Sequence, residues 1–147
     1  GDASLGHALG ATMAREFTMG QAPQDFKSWS IVPVPLHRRR LRQRGYNQSM
    51  QLARGWSAVT GMQITPLLMR KNAGQSFTRF NRSQRIALHS VQFDWPETPS
   101  TMPENIPGCI IIDDVITTGS TLESMHHSLR RRWHGPLAFI TLADATS

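Results

Sequence analysis

The sequence predicts an α/β domain, a parallel β-sheet flanked by helices, and three observations carry that prediction. Residues 108–112 (Gly-Cys-Ile-Ile-Ile) are continuously apolar, as a strand covered on both sheet faces must be. Apolar and β-branched runs at 29–35 and 137–142 read as further strands. Between them lie stretches of helical period, so strand, helix and strand alternate as in right-handed βαβ units. With 147 residues, 39% of them hydrophobic, the chain can bury its own core as one domain. That domain is expected to span 1–147, with an amino-terminal helical segment at 1–29 and a core from 30 to 147.

Each element has a local reason. Leu5, Leu9, Met13 and Phe17 stand at helical spacing and predict an opening helix over 3–18. Residues 29–35 form a β-branched run closed by prolines, a strand entering a loop. A cluster of arginines follows, broken by Gly45. Asn47 can cap a helix to about residue 60, with Leu52, Ala53, Trp56 and Val59 on one face. Gly61 ends it, and 63–68 reads as another strand. Residues 70–90 are polar and Arg-rich, turning helical around 84–89, and the four prolines of 94–107 make a connecting loop. After the 108–112 strand come two acids, a small polar turn, and a helix with Leu122, Met125, Leu129 and Trp133 in one stripe. Gly135-Pro136 stops that helix before the last strand. Ligands of such sheets sit at the carboxyl ends of the strands.

Several function classes fall away. The single Cys109 excludes an internal disulfide and a Cys-rich zinc module, and fits a reducing, cytoplasmic compartment. No run approaches the roughly 18 apolar residues that span a bilayer, so no membrane insertion is expected. The opening Gly1-Asp2-Ala3-Ser4 is neither a signal-peptide start nor an initiator Met, and suggests a processed or expressed fragment. Walker, dinucleotide-binding and nucleophile-elbow motifs are absent, which removes ATPase, dehydrogenase and α/β-hydrolase readings.

Charge is unevenly placed. Net charge is +6, yet the 68 residues between Asp25 and Asp94 hold twelve cations and no acid, while the rest of the chain carries −6. Arg outnumbers Lys 14 to 2, and the planar guanidinium suits paired contacts with phosphate. Surfaces normally mix signs, so this segment points to a polyanionic partner: a phosphorylated metabolite, nucleic acid, or both.

The most informative stretch is residues 109–121, Cys-Ile-Ile-Ile-Asp-Asp-Val-Ile-Thr-Thr-Gly-Ser-Thr. Buried strand, paired carboxylates, a Gly- and hydroxyl-rich turn and a helix start each have a job if the ligand is a ribose phosphate. A helix N-terminus and turn amides favour an anion, Gly119 permits close backbone approach, and a carboxylate can bind vicinal sugar hydroxyls. Ser120-Thr121-Leu122-Glu123 is also a capping box, which accounts for Ser120 and Glu123 without any ligand. It leaves Asp113, Asp114, Thr117, Thr118 and Gly119 unexplained, and like charges at the end of a buried strand are costly unless used.

This segment resembles the signature of type I phosphoribosyltransferases, which bind 5-phosphoribosyl 1-diphosphate (PRPP). Val32-Pro33-Val34-Pro35-Leu36, Arg44-Gly45-Tyr46-Asn47-Gln48, and then Gln75 and Arg85 ahead of the signature are similar to the ComF/GntX competence-protein branch. The resemblance implies that Asp113 and Asp114 hold the ribose hydroxyls and act as the catalytic pair. It implies a 5′-phosphate cradle of Thr117, Thr118, Gly119, Ser120 and Thr121. Pro35, Leu36, His37 and Arg38 would form the diphosphate loop. A basic mobile loop at about 70–85 would close over the diphosphate with Arg70, Lys71, Arg79, Arg82 and Arg85. Mg²⁺ is implied with PRPP, coordinated mostly by ligand oxygens and water, with no dedicated metal site in the protein.

Two function classes follow from the resemblance. One is an enzyme that transfers the phosphoribosyl group from PRPP to an acceptor with release of diphosphate. The other is a non-catalytic module that recognises PRPP and single-stranded DNA and serves DNA uptake in natural transformation. A second copy in a homodimer and competence-machinery proteins are the remaining candidate partners. Phe77 and Phe80, interleaved with Arg79 and Arg82, could stack bases or pack a hinge. His126-His127 on a helix point about 100° apart and read as surface residues rather than metal ligands. His37 reads as an exposed loop residue, and Trp29, Trp56 and Trp133 as core.

Overall fold

The computed structural model describes residues 2–20, 25–70, 93–96 and 106–145. Helix α1 (Ala3–Met19) opens the chain, and a single 3-10 turn (Phe26–Ser28) leads into β1 (Ser30–Pro33). Helices α2 (Arg38–Arg44) and α3 (Gln48–Thr60) follow, then the short strands β2 (Met69–Arg70) and β3 (Phe93–Asp94). Strand β4 (Cys109–Ile116), helix α4 (Ser120–Arg130) and β5 (Leu137–Asp144) complete the order.

The main sheet is parallel, in the order β1-β4-β5. Ser30 pairs with Cys109 and Pro33 with Ile112, while Cys109 pairs with Leu137 and Asp113 with Thr141. Strand β4 is therefore central, and its two faces are covered differently. Ile110 and Ile112 pack with Ala14 of α1 and with Leu52, Ala53 and Trp56 of α3. Cys109 and Ile111 face the opposite layer, with Met125 and Leu129 of α4 and with Phe93, Trp95 and Trp133. Alternation over a doubly covered strand is why the run has no polar position until Asp113.

Helices α1 and α3 approach through glycine. A Cβ on Gly10 would lie 2.0 Å from the Leu52 carbonyl oxygen, and one on Gly55 would lie 1.9 Å from the carbonyl oxygen of His7. This close crossing alters the predicted face of α1. Its fully buried positions are Gly10, Ala11 and Ala14; Leu9, Met13 and Phe17 pack alongside, and Leu5 is exposed. Large apolar side chains flank such a contact, because small residues must occupy the line of closest approach.

Other expectations need correction. The Arg cluster forms α2, capped by His37, whose Nδ1 accepts the Arg39 N–H, and ended by Gly45 at φ 81°. Val59 is exposed, unlike Leu52, Ala53 and Trp56. The strand expected at 63–68 contributes one parallel bridge, Ile31 with Ile64, and the extended pair β2–β3 begins only at Met69. Strand β4 continues through Asp113 and Asp114 to Ile116, so the acids lie in the strand and not after it. Helix α4 stops at Arg130, with Trp133 buried beyond its end. The helix expected at 84–89 and the loop residues 97–105 lie outside the described residues. No helix among the described residues is long and apolar enough to cross a membrane.

Gly55→Ala should cost about 2–3 kcal/mol through forced separation of α1 and α3. The shift in urea midpoint at constant slope measures it, and an unchanged midpoint would contradict the close crossing.

Candidate functional site

The carboxyl ends of β1 and β4 meet the amino-terminal ends of α3 and α4. Asn47 makes the first junction. Its Oδ1 accepts the Ser49 N–H at 3.1 Å, capping α3, while its Nδ2 donates to the Val34 carbonyl at 2.9 Å. The segment after β1 is thereby tied to the start of α3. The same Ser49, through its hydroxyl, donates to Asp113 Oδ1 at 3.0 Å. Both residues of that bond are buried.

Asp113 and Asp114 are unequal in burial although their carboxyl groups interact. Asp113 is 8% exposed and Asp114 is half-buried. Burial pushes the Asp113 carboxyl up to about 6 from its ordinary 3.8. The Asp114 N–H, 3.0 Å from Asp113 Oδ1, and the Ser49 hydroxyl oppose that rise, and the Asp114 carboxylate adds to it. Such a group changes charge near neutrality, a property more common at functional sites than elsewhere.

The turn after β4 is built as a helix start. Gly119, at φ 73°, precedes α4, and its carbonyl accepts the first helical bond from the Glu123 N–H at 2.9 Å. The capping box read from the sequence is not formed: Ser120 is the first residue of α4, Gly119 is its N-cap, and the Ser120 N–H donates to Thr118 Oγ1 at 3.4 Å. Instead the Thr118 hydroxyl donates to Ser120 Oγ at 2.9 Å. Thr117, Thr118 and Ser120 are exposed, and Gly119 and Thr121 half-buried. The opening amides of α4 precede its hydrogen-bond ladder and carry the positive end of its dipole.

Of the diphosphate-loop candidates, Pro35, Leu36 and His37 follow β1 as a loop and Arg38 opens α2. Arg70 lies in β2, its guanidinium carbon 5.5 Å from the centre of the Phe93 ring. Burial pulls its ionisation down, the like charge of Arg40 pulls it further, and Asp113 raises it. Arg40 and Asp113 are thus both electrostatic neighbours of Arg70, although sequence reasoning counted Arg40 only within the general positive charge. Ser49 was also missed, since its partner is 64 residues away and no local pattern signals it. Lys71, Arg79, Arg82, Arg85, Phe77 and Phe80 lie outside the described residues. His126 and His127 are exposed, and His126 Nε2 accepts from the Arg130 guanidinium at 3.2 Å.

No protein-family model matches the sequence, and no curated protein matches it. Solved structures do match the fold. Glutamine PRPP amidotransferase from B. subtilis, complexed with ADP and GMP, has a TM-score of 0.62 at 17% identity. The allosteric regulatory enzyme of purine biosynthesis has a TM-score of 0.60 at 17% identity. Each match covers 95% of this chain and 26% of the other, so the chain spans about a quarter of those proteins' length. The fold is that of the type I phosphoribosyltransferases. In this phosphoribosyltransferase fold, the paired acids and the Gly119 turn stand at the carboxyl end of the central strand.

Because the folded-state value of Asp113 lies above 3.8, the native protein holds this proton more tightly than the unfolded chain does. Its contribution therefore favours folding most at pH below 3.8 and declines as pH rises to about 6. Denaturant titrations across that window should lose this slope in Asp113→Asn. Carbon-detected NMR should find the Asp113 midpoint lowered by Asp114→Asn and raised by Ser49→Ala; an Asp113 midpoint near 4 in the wild type would refute the assignment.

Proposed function

We propose that the chain is a PRPP-binding phosphoribosyltransferase of the ComF/GntX branch, passing a 5-phosphoribosyl group to an acceptor and releasing diphosphate. The observation that carries this reading is the junction at the end of β4: Asp113 and Asp114 side by side, then a left-handed Gly119 opening α4. In this reading the carboxylates accept hydrogen bonds from the ribose 2′- and 3′-hydroxyls. Ser49 and the Asp114 amide hold Asp113 in place for that task. Thr117, Thr118, Gly119, Ser120 and Thr121 surround the 5′-phosphate with hydroxyls and helix-start amides.

The diphosphate belongs over the loop of Pro35, Leu36, His37 and Arg38, where Arg40 and Arg70 add positive charge. Lys71, Arg79, Arg82 and Arg85 are proposed to complete a loop that closes over it. In the reaction, an acceptor lone pair forms a bond to ribose C1 as the C1–O bond to diphosphate breaks. The bonding pair leaves with the diphosphate and the acceptor's proton passes to water. The protein's contribution is to orient the ribose and stabilise charge on the leaving group. Mg²⁺ would travel with the diphosphate, held mostly by its oxygens and by water. Cys109 takes no part, since burial pushes its thiol up to about 12 and keeps it protonated. A cytoplasmic location accords with this substrate and with a lone thiol.

Calorimetry with PRPP and Mg²⁺ tests the reading. Asp113→Asn combined with Asp114→Asn should cost about 3 kcal/mol of binding, more than a hundredfold in Kd, from two charge-assisted contacts. Equal affinity in the double variant would remove the acids from the site.

A second reading, a module that holds single-stranded DNA for uptake, is favoured by one observation. Helix α2 exposes Arg38, Arg39, Arg40, Arg42 and Arg44 and buries none of its residues. Oligonucleotide binding should then weaken steeply with salt, and Arg39→Ala with Arg42→Ala should make the slope shallower by roughly 0.7 per lost phosphate contact. An unchanged slope, or duplex bound equally well, would leave α2 to other work.

A further inference from the structure

An open cleft of about 420 Å³ lies between α2 and α3, beside the loop that leaves β1. That volume falls within the range of roughly 300–1,000 Å³ usual for small-molecule sites. Its walls are mainly apolar, with Leu36, Leu41 and Met50 among them, and its polar groups include Tyr46, Gln51 and Arg54. Among the described residues no carboxylate lines it. Leu41 is 41% exposed and is the one apolar residue of α2, a helix otherwise made of five arginines and a glutamine. An occupant seated here would cover the exposed part of Leu41.

We propose that this cleft binds the acceptor, and that the acceptor is a planar aromatic or heteroaromatic acid. The inference rests on the phosphoribosyl-transfer reading for the word acceptor, but not for the binding itself. A flat ring matches apolar walls bordered by the only tyrosine of the chain, against which it can pack offset or edge-on. Its carboxylate matches Arg54, whose fork takes both oxygens, while Gln51 meets a polar ring edge. A cationic amine has no counter-charge here and would face the positive field of α2, so the same walls select against it. The cleft borders the proposed PRPP site. Pro35 and Leu36 belong both to the cleft and to the proposed diphosphate loop, and Asn47 lines the cleft while tying α3 to Val34. Two residues on, Ser49 holds Asp113.

The test uses the intact chain, benzoate as probe and benzamide as its uncharged counterpart, read by methyl NMR of the leucines and methionines. Benzoate should shift the Leu36, Leu41 and Met50 methyls saturably, and benzamide should bind about tenfold more weakly for want of the charged contact. Arg54→Met should abolish that preference while leaving PRPP affinity unchanged. Equal binding of the two probes, no saturable shift, or a preference that survives Arg54→Met would overturn the assignment. So would methyl shifts that appear on concentrating the protein alone, which would mark the cleft as a contact between copies. PRPP calorimetry on the same samples separates the two readings. A chain that binds PRPP but not benzoate refutes the cleft alone, whereas one that binds benzoate but not PRPP keeps an aromatic-acid site and refutes the transfer reading.

Discussion

The hydrogen bond from Ser49 to Asp113, 3.0 Å long and buried, joins the start of α3 to the end of β4 across 64 residues of sequence. A carboxyl group placed in so enclosed a position needs donors, because leaving it unpartnered would cost more than the bond itself returns. The Asp114 amide supplies the second donor. Asn47 completes the arrangement by holding α3 to the β1 loop through Val34. Three segments distant in sequence are thus constrained at one place, and that place is the carboxyl end of the parallel sheet. The candidate site is a consequence of these polar contacts as much as of the fold.

The apolar layers make the constraint possible. Strand β4 is sandwiched between α1 with α3 on one face and α4 with Leu67, Leu68 and Phe93 on the other. Displacing either layer would expose apolar side chains of β4, so the ends of β1 and β4 are held in register. The glycine contact between α1 and α3 brings the first layer close enough for Trp56 to be fully buried beneath it. Rigid strands then present a turn, Thr117 to Gly119, that has no apolar anchorage and is shaped by its own hydroxyls and by one positive φ. A firm sheet edge beside an adaptable polar turn is the usual division of labour in a binding site.

Charge is distributed with the same economy. Cations crowd the segment that contains α2 and Arg70, whereas the acids of the site stand on the central strand. Arg70 is influenced by both Arg40 and Asp113. Like charges near one another raise the local positive potential, which is the ground on which an anionic ligand is proposed there. The proposed diphosphate and the proposed aromatic acid are both anions, and the cleft between α2 and α3 extends the same positive field onto an apolar surface.

The sequence by itself determined the layer class, the central strand and the position of the acid pair, because these depend on signals within a few residues. An unbroken apolar run specifies double coverage, and two aspartates followed by a Gly- and Thr-rich turn specify a strand passing into a helix start. Asn47 and Gly61 marked the ends of α3 by their own local chemistry. Tertiary structure alone decided what depends on distant partners. The buried stripe of α1 moved to its small residues because α3 crosses there. Ser49 acquired its role only when α3 met β4, and Arg40 only when α2 came near β2. The capping box gave way to Gly119 because β4 continues to Ile116, leaving three residues for the turn into α4. Local sequence determines which conformation a segment prefers, but which side chains meet across 64 residues is set by how the layers pack.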